Sequence, residues 1–150
     1  MNDPGNRAYP LIYLVGAGLL TLCSLLSGCG WTKNVDLATD AVEMFHSQFN
    51  AEQYDQIYIA ADEKFRATTR ESDFTKLLQS VHQKLGVVQR SERRNTRVVG
   101  SGTEMRITLV YDTGFVGGAS LEQFTWRIDG NRARLYHYRI NASDGRVTDP

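Results

Sequence analysis

Apolar residues recur every three or four positions between residues 37 and 85, and they alternate with polar residues between residues 87 and 142. The first spacing is typical of amphipathic helices, and the second is typical of half-buried strands. The chain after residue 36 is therefore predicted to form helices first and strands afterwards.

The first predicted helix covers residues 37–49, with Asn34 or Asp36 as its N-cap. Its apolar stripe consists of Leu37, Ala38, Ala41, Val42, Phe45 and Phe49. His46 lies at the margin of this stripe. We expect that histidine at the surface or at the boundary of the core, and not as a ligand.

A second helix is predicted over residues 52–61, where Asn50 and Gln53 resemble a capping box. Phe65 continues the apolar line of this helix, and residues 67–71 are predicted to form a loop. The first two helices are expected to form an antiparallel hairpin.

The third helix is predicted over residues 73–85, with Ser72 as its N-cap. Its apolar stripe consists of Phe74, Leu77, Leu78, Val81 and Leu85. Gly86 is placed to end the helix, because a glycine adopts the left-handed conformation of a C-cap at little cost.

Four strands are predicted over residues 87–99, 103–113, 119–128 and 132–142. In the last strand Tyr136, Tyr138 and Ile140 share one face, whereas Leu135 and His137 share the other. Either both faces are partly covered or a β-bulge shifts the register. Helices followed by an antiparallel meander predict an α+β fold, with three N-terminal helices packed on a curved four-stranded antiparallel sheet.

An uncharged apolar run covers residues 11–26, and the preceding residues carry one basic side chain, Arg7. About sixteen residues is the length of a signal-peptide hydrophobic region and is shorter than the roughly 20 residues that span a bilayer. An uncleaved membrane anchor is the alternative interpretation of this run.

The run ends in Leu26-Ser27-Gly28-Cys29, which resembles the lipobox of bacterial lipoproteins. The small residues Ser27 and Gly28 let an extended backbone enter the signal peptidase, and the thiol of Cys29 takes the lipid. The resemblance implies removal of residues 1–28 and acylation of Cys29, which tethers the protein to a membrane without spanning it. Gly30 at the following position favours the periplasmic face of the outer membrane over the inner membrane.

The predicted organisation is a signal peptide over residues 1–28, a lipidated tether over 29–35, a domain over 36–142 and a polar tail over 143–150. Cys23 and Cys29 are the two cysteines, so the domain has neither a disulfide nor a thiol nucleophile. The formal net charge is zero, which gives no indication of nucleic-acid binding.

The order of these elements resembles the nuclear transport factor 2-like superfamily, and envelope domains of that superfamily in particular. The segments that carry the resemblance are Asn50–Asp55, Lys84–Gly86, Phe124–Trp126 and Leu135–Ile140. The resemblance implies a bent sheet around the first helix with a pocket at its open end. We expect Phe45, Tyr111, Trp126 and Tyr138 to line that pocket.

Acid–base chemistry in such a pocket would use Asp112, His82, His137, Tyr111 or Tyr138. Asp112 follows Tyr111 on an alternating strand, so only one of the two can face inward. No spacing makes any pair converge, and the three histidines have no metal-binding spacing. We therefore predict no catalytic residues, no metal site and no cofactor.

Two surface features remain open. The arginines between Arg90 and Arg97, together with Arg127 and Arg134, form either a patch that meets anionic lipid headgroups or an acidic partner, or a solvated sheet face. Phe115 and Val116, which are flanked by glycines, form either a docking tip or ordinary packing.

These observations favour a membrane-tethered periplasmic lipoprotein whose domain is a non-enzymatic binding module. Its expected partner is an envelope protein or a small apolar ligand. An isomerase- or dehydratase-like enzyme and a self-associating domain, for example a homodimer, are the alternatives.

Overall fold

The computed structural model describes residues 29–142. Four helices precede four strands: α1 Cys29–Asn50, α2 Tyr54–Ala60, α3 Glu63–Thr68, α4 Glu71–Leu85, β1 Val88–Val99, β2 Arg106–Phe115, β3 Gly118–Asp129 and β4 Arg132–Ala142. The strands form one antiparallel sheet in the order β1-β2-β3-β4. The predicted α+β fold, with the helices N-terminal to a four-stranded antiparallel sheet, is confirmed. The predicted signal peptide, including Leu26, Ser27 and Gly28, and the predicted tail lie outside the described residues.

Helix α1 is longer than the pattern predicted. It begins at Cys29, so the segment predicted as a tether is helical, and the apolar stripe occupies the later part of the helix. Ala38, Val42, Phe45 and Phe49 are all buried. The core runs from Ala38 to Tyr138 and lies within the compact unit that begins at Lys33.

The structure contains a fourth helix, α3, that the sequence pattern did not predict. Its residues were expected to continue the apolar line of the second helix and then to form a loop. Asp62 caps α3, because its Oδ1 accepts a hydrogen bond from the backbone N–H of Lys64 at 2.9 Å. The predicted capping box at the start of α2 is wrong. The side chain of Gln53 makes no capping hydrogen bond there.

Helix α4 begins at Glu71, two residues earlier than predicted. Arg70 occupies the N-cap position and its side chain makes no capping hydrogen bond, so the predicted capping role of Ser72 is wrong. Gly86 does end the helix. Its φ of 76° is accessible to glycine at little cost, and its N–H donates to the carbonyl of His82 at 2.8 Å.

The alternation of β2 and β3 separates an inner from an outer face of the sheet. Ile107, Leu109 and Tyr111 of β2 are buried on the inner face, against the helices. On β3 the corresponding buried side chains are those of Phe124, Trp126 and Ile128. On both strands the side chains at the alternate positions, beginning with that of Arg106 on β2, form the outer face of the sheet.

Strand β4 contains the bulge that the pattern left open. His137 lies opposite Thr125 and Leu135 lies opposite Trp126, so Tyr136 is the extra residue. The bulge lets Leu135 and Tyr138 both be buried, although they are an odd number of residues apart. It leaves His137 exposed.

The turn between β2 and β3 divides its two apolar residues. Phe115 is buried, which identifies it as ordinary packing, whereas the Val116 side chain is 63% exposed. The N–H of Gly117 donates to the carbonyl of Leu85 at 2.7 Å and ties the turn to the end of α4.

A buried ion pair fixes the segment between α2 and α3 to the sheet. Asp62 is fully buried and forms an ion pair with the guanidinium of Arg127 on β3. The hydrogen bond to Asp62 raises the pKa of Arg127, so its charge is secure. The N–H of Asp62 also donates to the carbonyl of Leu135 at 2.9 Å, which holds the end of α2 beside β4.

Asn50 joins the end of α1 to the start of the sheet. Its side chain accepts from the N–H of Val88 at 2.8 Å and donates to the carbonyl of Val88 at 3.0 Å. We expect Asn50→Ala to lower the free energy of unfolding by about 1 kcal/mol, measured by urea denaturation. Asn95→Ala, at an exposed position of β1, is the control and is expected to change it by less than about 0.5 kcal/mol. Equal losses in both variants would contradict the role of Asn50.

Candidate functional site

A buried carboxylate lies between α1 and the inner face of the sheet. The Glu122 side chain on β3 is almost fully buried and accepts three hydrogen bonds. Oε2 bonds to Nε2 of His46 at 2.7 Å and to Oγ1 of Thr113 at 2.5 Å, and Oε1 accepts from the Tyr138 hydroxyl at 2.6 Å. We call Glu122, His46, Thr113 and Tyr138 the Glu122 network.

The electrostatics of this network follow from its burial. An ionised Glu122 carboxylate can only accept hydrogen bonds, and Nε2 of His46 is the donor to that form. Burial raises the pKa of the Tyr138 hydroxyl well above its usual range, and the charge of Glu122 raises it further. Tyr138 therefore remains a neutral donor.

The sequence interpretation placed His46 wrongly and did not single out Glu122. His46 is buried, because its ring lies against Phe45 and Phe124 at centroid distances of 6.0 Å and 5.6 Å. Glu122 lies two residues before Phe124 and four before Trp126, so strand alternation alone puts it on the buried face. That alternation was the available signal for a buried acid.

Three members of the Glu122 network lie away from five cavities of the described residues. None of these five is lined by Glu122, His46 or Tyr138, whereas Thr113 borders one of about 270 Å³ beside Arg90 and Asp112. General acid–base catalysis requires the acid or base within hydrogen-bonding reach of the substrate. The network is instead suited to holding α1 on the sheet.

The other acid–base candidates lie apart from one another. Asp112 is on the outer face in an ion pair with Arg94, and His137 is exposed. His82 lies against Phe49 at a centroid distance of 5.3 Å. Tyr111 does face inward, as the alternation predicted. Within the described residues, no group of three His, Cys, Asp or Glu side chains could hold a metal ion.

The four predicted lining residues belong to one aromatic cluster. The Phe45 and Tyr138 rings are 5.0 Å apart, and Tyr111 and Trp126 lie about the ring of Phe124 at 6.1 Å and 6.0 Å. Phe45 and Trp126 border a cavity, whereas Tyr111 and Tyr138 border none in the described region. The structure therefore separates the four into two that can reach a ligand and two that fill the core.

An apolar cleft lies between α1, the end of α2 and β4. Its inner cavity of about 70 Å³ is bordered by Phe45, Trp126 and Leu135. Its outer groove of about 390 Å³ reaches the polar residues Asp40 and Arg132. The inner cavity and the outer groove share the side chains of Ala41, Met44, Ala60 and Ala133, and we call the two together the α1–β4 cleft.

Three features make the α1–β4 cleft suitable for a ligand. The groove falls within the roughly 300–1,000 Å³ of ordinary small-molecule sites. Met44 is 64% exposed, and its flexible thioether can adapt to an apolar guest. The indole Nε1 of Trp126 is buried without a hydrogen-bond partner among the described residues, which costs about 1–3 kcal/mol.

The Glu122 network predicts a large effect on stability. We expect Glu122→Ala to lower the free energy of unfolding by about 3 kcal/mol, because it leaves three buried donors without their acceptor. Urea denaturation measures this. Glu92→Ala removes an exposed glutamate from β1 and is expected to cost less than about 0.5 kcal/mol. A loss below 1 kcal/mol for Glu122→Ala would contradict the structural role.

The predicted lipid-bearing residue, Cys29, is the first residue of α1. No helix within residues 29–142 is long and apolar enough to cross a membrane.

No protein-family model and no curated protein matches the chain. The relation to the nuclear transport factor 2-like superfamily and the lipoprotein assignment therefore stay predictions, and the function is argued from the sequence and the geometry of the site.

Proposed function

We propose that this protein is a lipid-anchored binding module of the bacterial envelope that holds a small apolar ligand in the α1–β4 cleft. The cleft carries the proposal, because it combines a small apolar cavity with a larger groove that reaches charged residues. The lipobox-like sequence Leu26-Ser27-Gly28-Cys29 supports the lipid anchor at Cys29. The outer membrane is favoured because Gly30 follows the cysteine.

The shape of the cleft favours a linear apolar chain with a polar end. The inner cavity of about 70 Å³ has room for only a few methylene groups, and the groove has room for the rest of the chain. Each buried methylene group contributes about 0.8 kcal/mol. A hydrogen-bond acceptor near the indole of Trp126 would give that buried donor a partner.

A binding role agrees better with the interior of this domain than an enzymatic role does. The inward acid and base, Glu122 and His46, line neither the inner cavity nor the outer groove of the α1–β4 cleft. The cavity wall near Trp126 is mainly apolar, and Phe45, Ile57 and Leu135 have no proton to transfer. A site of this composition retains a ligand without transforming it.

Ligand binding can be measured on Trp126 directly, because it is the one tryptophan after Trp31. We expect decan-1-ol to change the fluorescence of the unit that begins at Lys33 in a saturable manner. Ala60→Phe narrows the cleft and is expected to weaken binding at least tenfold. Ala67→Phe, at an exposed position of α3 outside the cleft, is the control and should bind as the unmodified protein does.

Two outcomes would contradict the ligand-binding role. One is a fluorescence change that does not saturate, and the other is an equal loss of affinity in Ala60→Phe and Ala67→Phe. Cross-linking of an envelope protein through Met44 at the cleft, without any bound small molecule, would make the cleft a docking site for that protein.

The lipid anchor is tested by cysteine substitution in a bacterial host. We expect Cys29→Ala to abolish incorporation of labelled palmitate and to leave residues 1–28 uncleaved, because the acylated thiol is required for processing. Cys23→Ala is the matched control and should leave acylation and membrane association unchanged. Normal cleavage and membrane association of Cys29→Ala would refute the lipoprotein assignment.

A further inference from the structure

The charges of this chain are divided between its two layers. Residues 33–86 carry six basic and nine acidic side chains, whereas residues 87–142 carry nine basic and five acidic ones. All nine basic residues of the sheet half are arginines, while the four lysines of the described region lie before β1. The net charge of zero therefore conceals a basic sheet half beside an acidic helical half.

Eight of these nine arginines are placed on the outer face of the sheet by the strand registers. They are Arg90, Arg94, Arg97, Arg106, Arg127, Arg132, Arg134 and Arg139, and we call them the arginine face. The outer face holds three carboxylates, Glu92, Asp112 and Asp129. The ninth arginine, Arg93, lies on the inner face, where its guanidinium donates a hydrogen bond to Thr39 of α1.

Some members of the arginine face are neutralised within the domain. Arg94 pairs with Asp112, Arg127 with the buried Asp62, and Arg134 with Asp129 at 3.1 Å. The Arg106 guanidinium lies over the Tyr136 ring, 5.2 Å from its centroid. Arg90, Arg97 and Arg132 are exposed and have neither an ion pair nor a hydrogen bond to any described side chain.

The arrangement of the arginines works against the stability of the isolated sheet. Arg106, Arg127 and Arg134 lie directly opposite one another across β2, β3 and β4. Like charges at directly opposed positions destabilise a sheet, and only part of this charge is neutralised within the domain. An external anion would relieve the remaining repulsion.

We propose that the arginine face docks on the phosphate groups of an anionic membrane surface. A guanidinium matches the geometry of a phosphate with two parallel hydrogen bonds, which a lysine ammonium cannot do. The arginines extend from Arg90 on β1 to Arg139 on β4, across all four strands, at about 4.8 Å per strand. Such a spread fits a surface of many phosphates better than one small anion.

The aromatic content of this face favours a lipid surface over single-stranded nucleic acid. Proteins that bind single strands stack successive bases on exposed aromatic rings. On the described part of the outer face the aromatic rings are those of Tyr136 and His137, and Tyr136 is already covered by Arg106. The charge is therefore present without a row of stacking surfaces.

Docking through the arginine face requires neither the ligand in the α1–β4 cleft nor the lipid on Cys29. The unit that begins at Lys33 contains the whole buried core and the complete arginine face, so it can be studied without the anchor. We expect it to co-sediment with vesicles of phosphatidylglycerol and not with vesicles of phosphatidylcholine. Raising the salt concentration is expected to weaken this binding, because the surface potential is screened.

The substitution test removes the three unpaired guanidiniums. Arg90→Gln, Arg97→Gln and Arg132→Gln combined are expected to weaken binding to phosphatidylglycerol vesicles about a hundredfold, since each basic residue near an anionic surface contributes about fivefold. The control combines Lys64→Gln, Lys76→Gln and Lys84→Gln, which removes the same charge from exposed positions of the helical half. The control is expected to bind within about threefold of the unmodified unit.

Three results would overturn the proposal. The first is equal binding to the two kinds of vesicle by the unmodified unit, a measurement that needs no substitution. The second is an equal loss in the arginine and lysine variants, which would assign the effect to net charge alone. The third is displacement of the protein from vesicles by oligouridine at an equal phosphate concentration, which would make the partner a nucleic acid.

Discussion

The fold of this domain depends on a carboxylate that is taken out of water. Glu122 is 1% exposed, and an unpaired charge at that depth would cost several kcal/mol. Its three donors come from α1, β2 and β4, and the acceptor itself is on β3. Because each hydrogen bond tolerates only a few tenths of an ångström, the helix can neither slide along the sheet nor rotate over it without leaving a buried polar group unpaired. A purely apolar interface would permit several such arrangements at similar energy.

The same network determines where function can be located. Inward-facing titratable groups are the usual source of chemistry in an α+β domain, and here His46, Glu122 and Tyr138 hydrogen-bond to one another. The centre of the inner face is filled by these hydrogen-bonded side chains and by the aromatic rings packed around Phe124. A cavity remains at the margin, in the α1–β4 cleft, where the hydrogen bond from the Asp62 N–H to the Leu135 carbonyl holds the end of α2 beside β4. Stability at the centre and the position of the proposed binding cleft at the margin thus have the same cause.

Local patterns predicted the helices and strands of this fold except α3 but misplaced the helix caps, and two further features depended on non-local pairing. The change in apolar spacing near Gly86 predicted helices before strands, and β4 was predicted with the observed bounds. The bulge at Tyr136 could only be stated as one of two alternatives, because it depends on the pairing of β4 with β3. His46 was misplaced because a histidine beside an apolar stripe can be buried only if an acceptor meets it, and that acceptor lies 76 residues away. No window of sequence contains both partners.

The arginine face shows that a net charge of zero can conceal a strongly basic surface. The net charge of zero gave no indication of nucleic-acid binding, and the sequence allowed the arginines to form either an anion-binding patch or a solvated face. A net charge describes a surface only when its acidic and basic residues are mixed in space. In this chain acidic residues outnumber basic ones in the helical half, and basic residues outnumber acidic ones in the sheet half. The net charge of the whole chain is therefore zero although each half carries a charge. Residue type carries further information: a solvated face needs only charge and tolerates lysine, whereas residues 87–142 use arginine at every basic position. Rigid bidentate donors fixed on paired strands lose little entropy when they meet a phosphate, which flexible lysines on a helix cannot match.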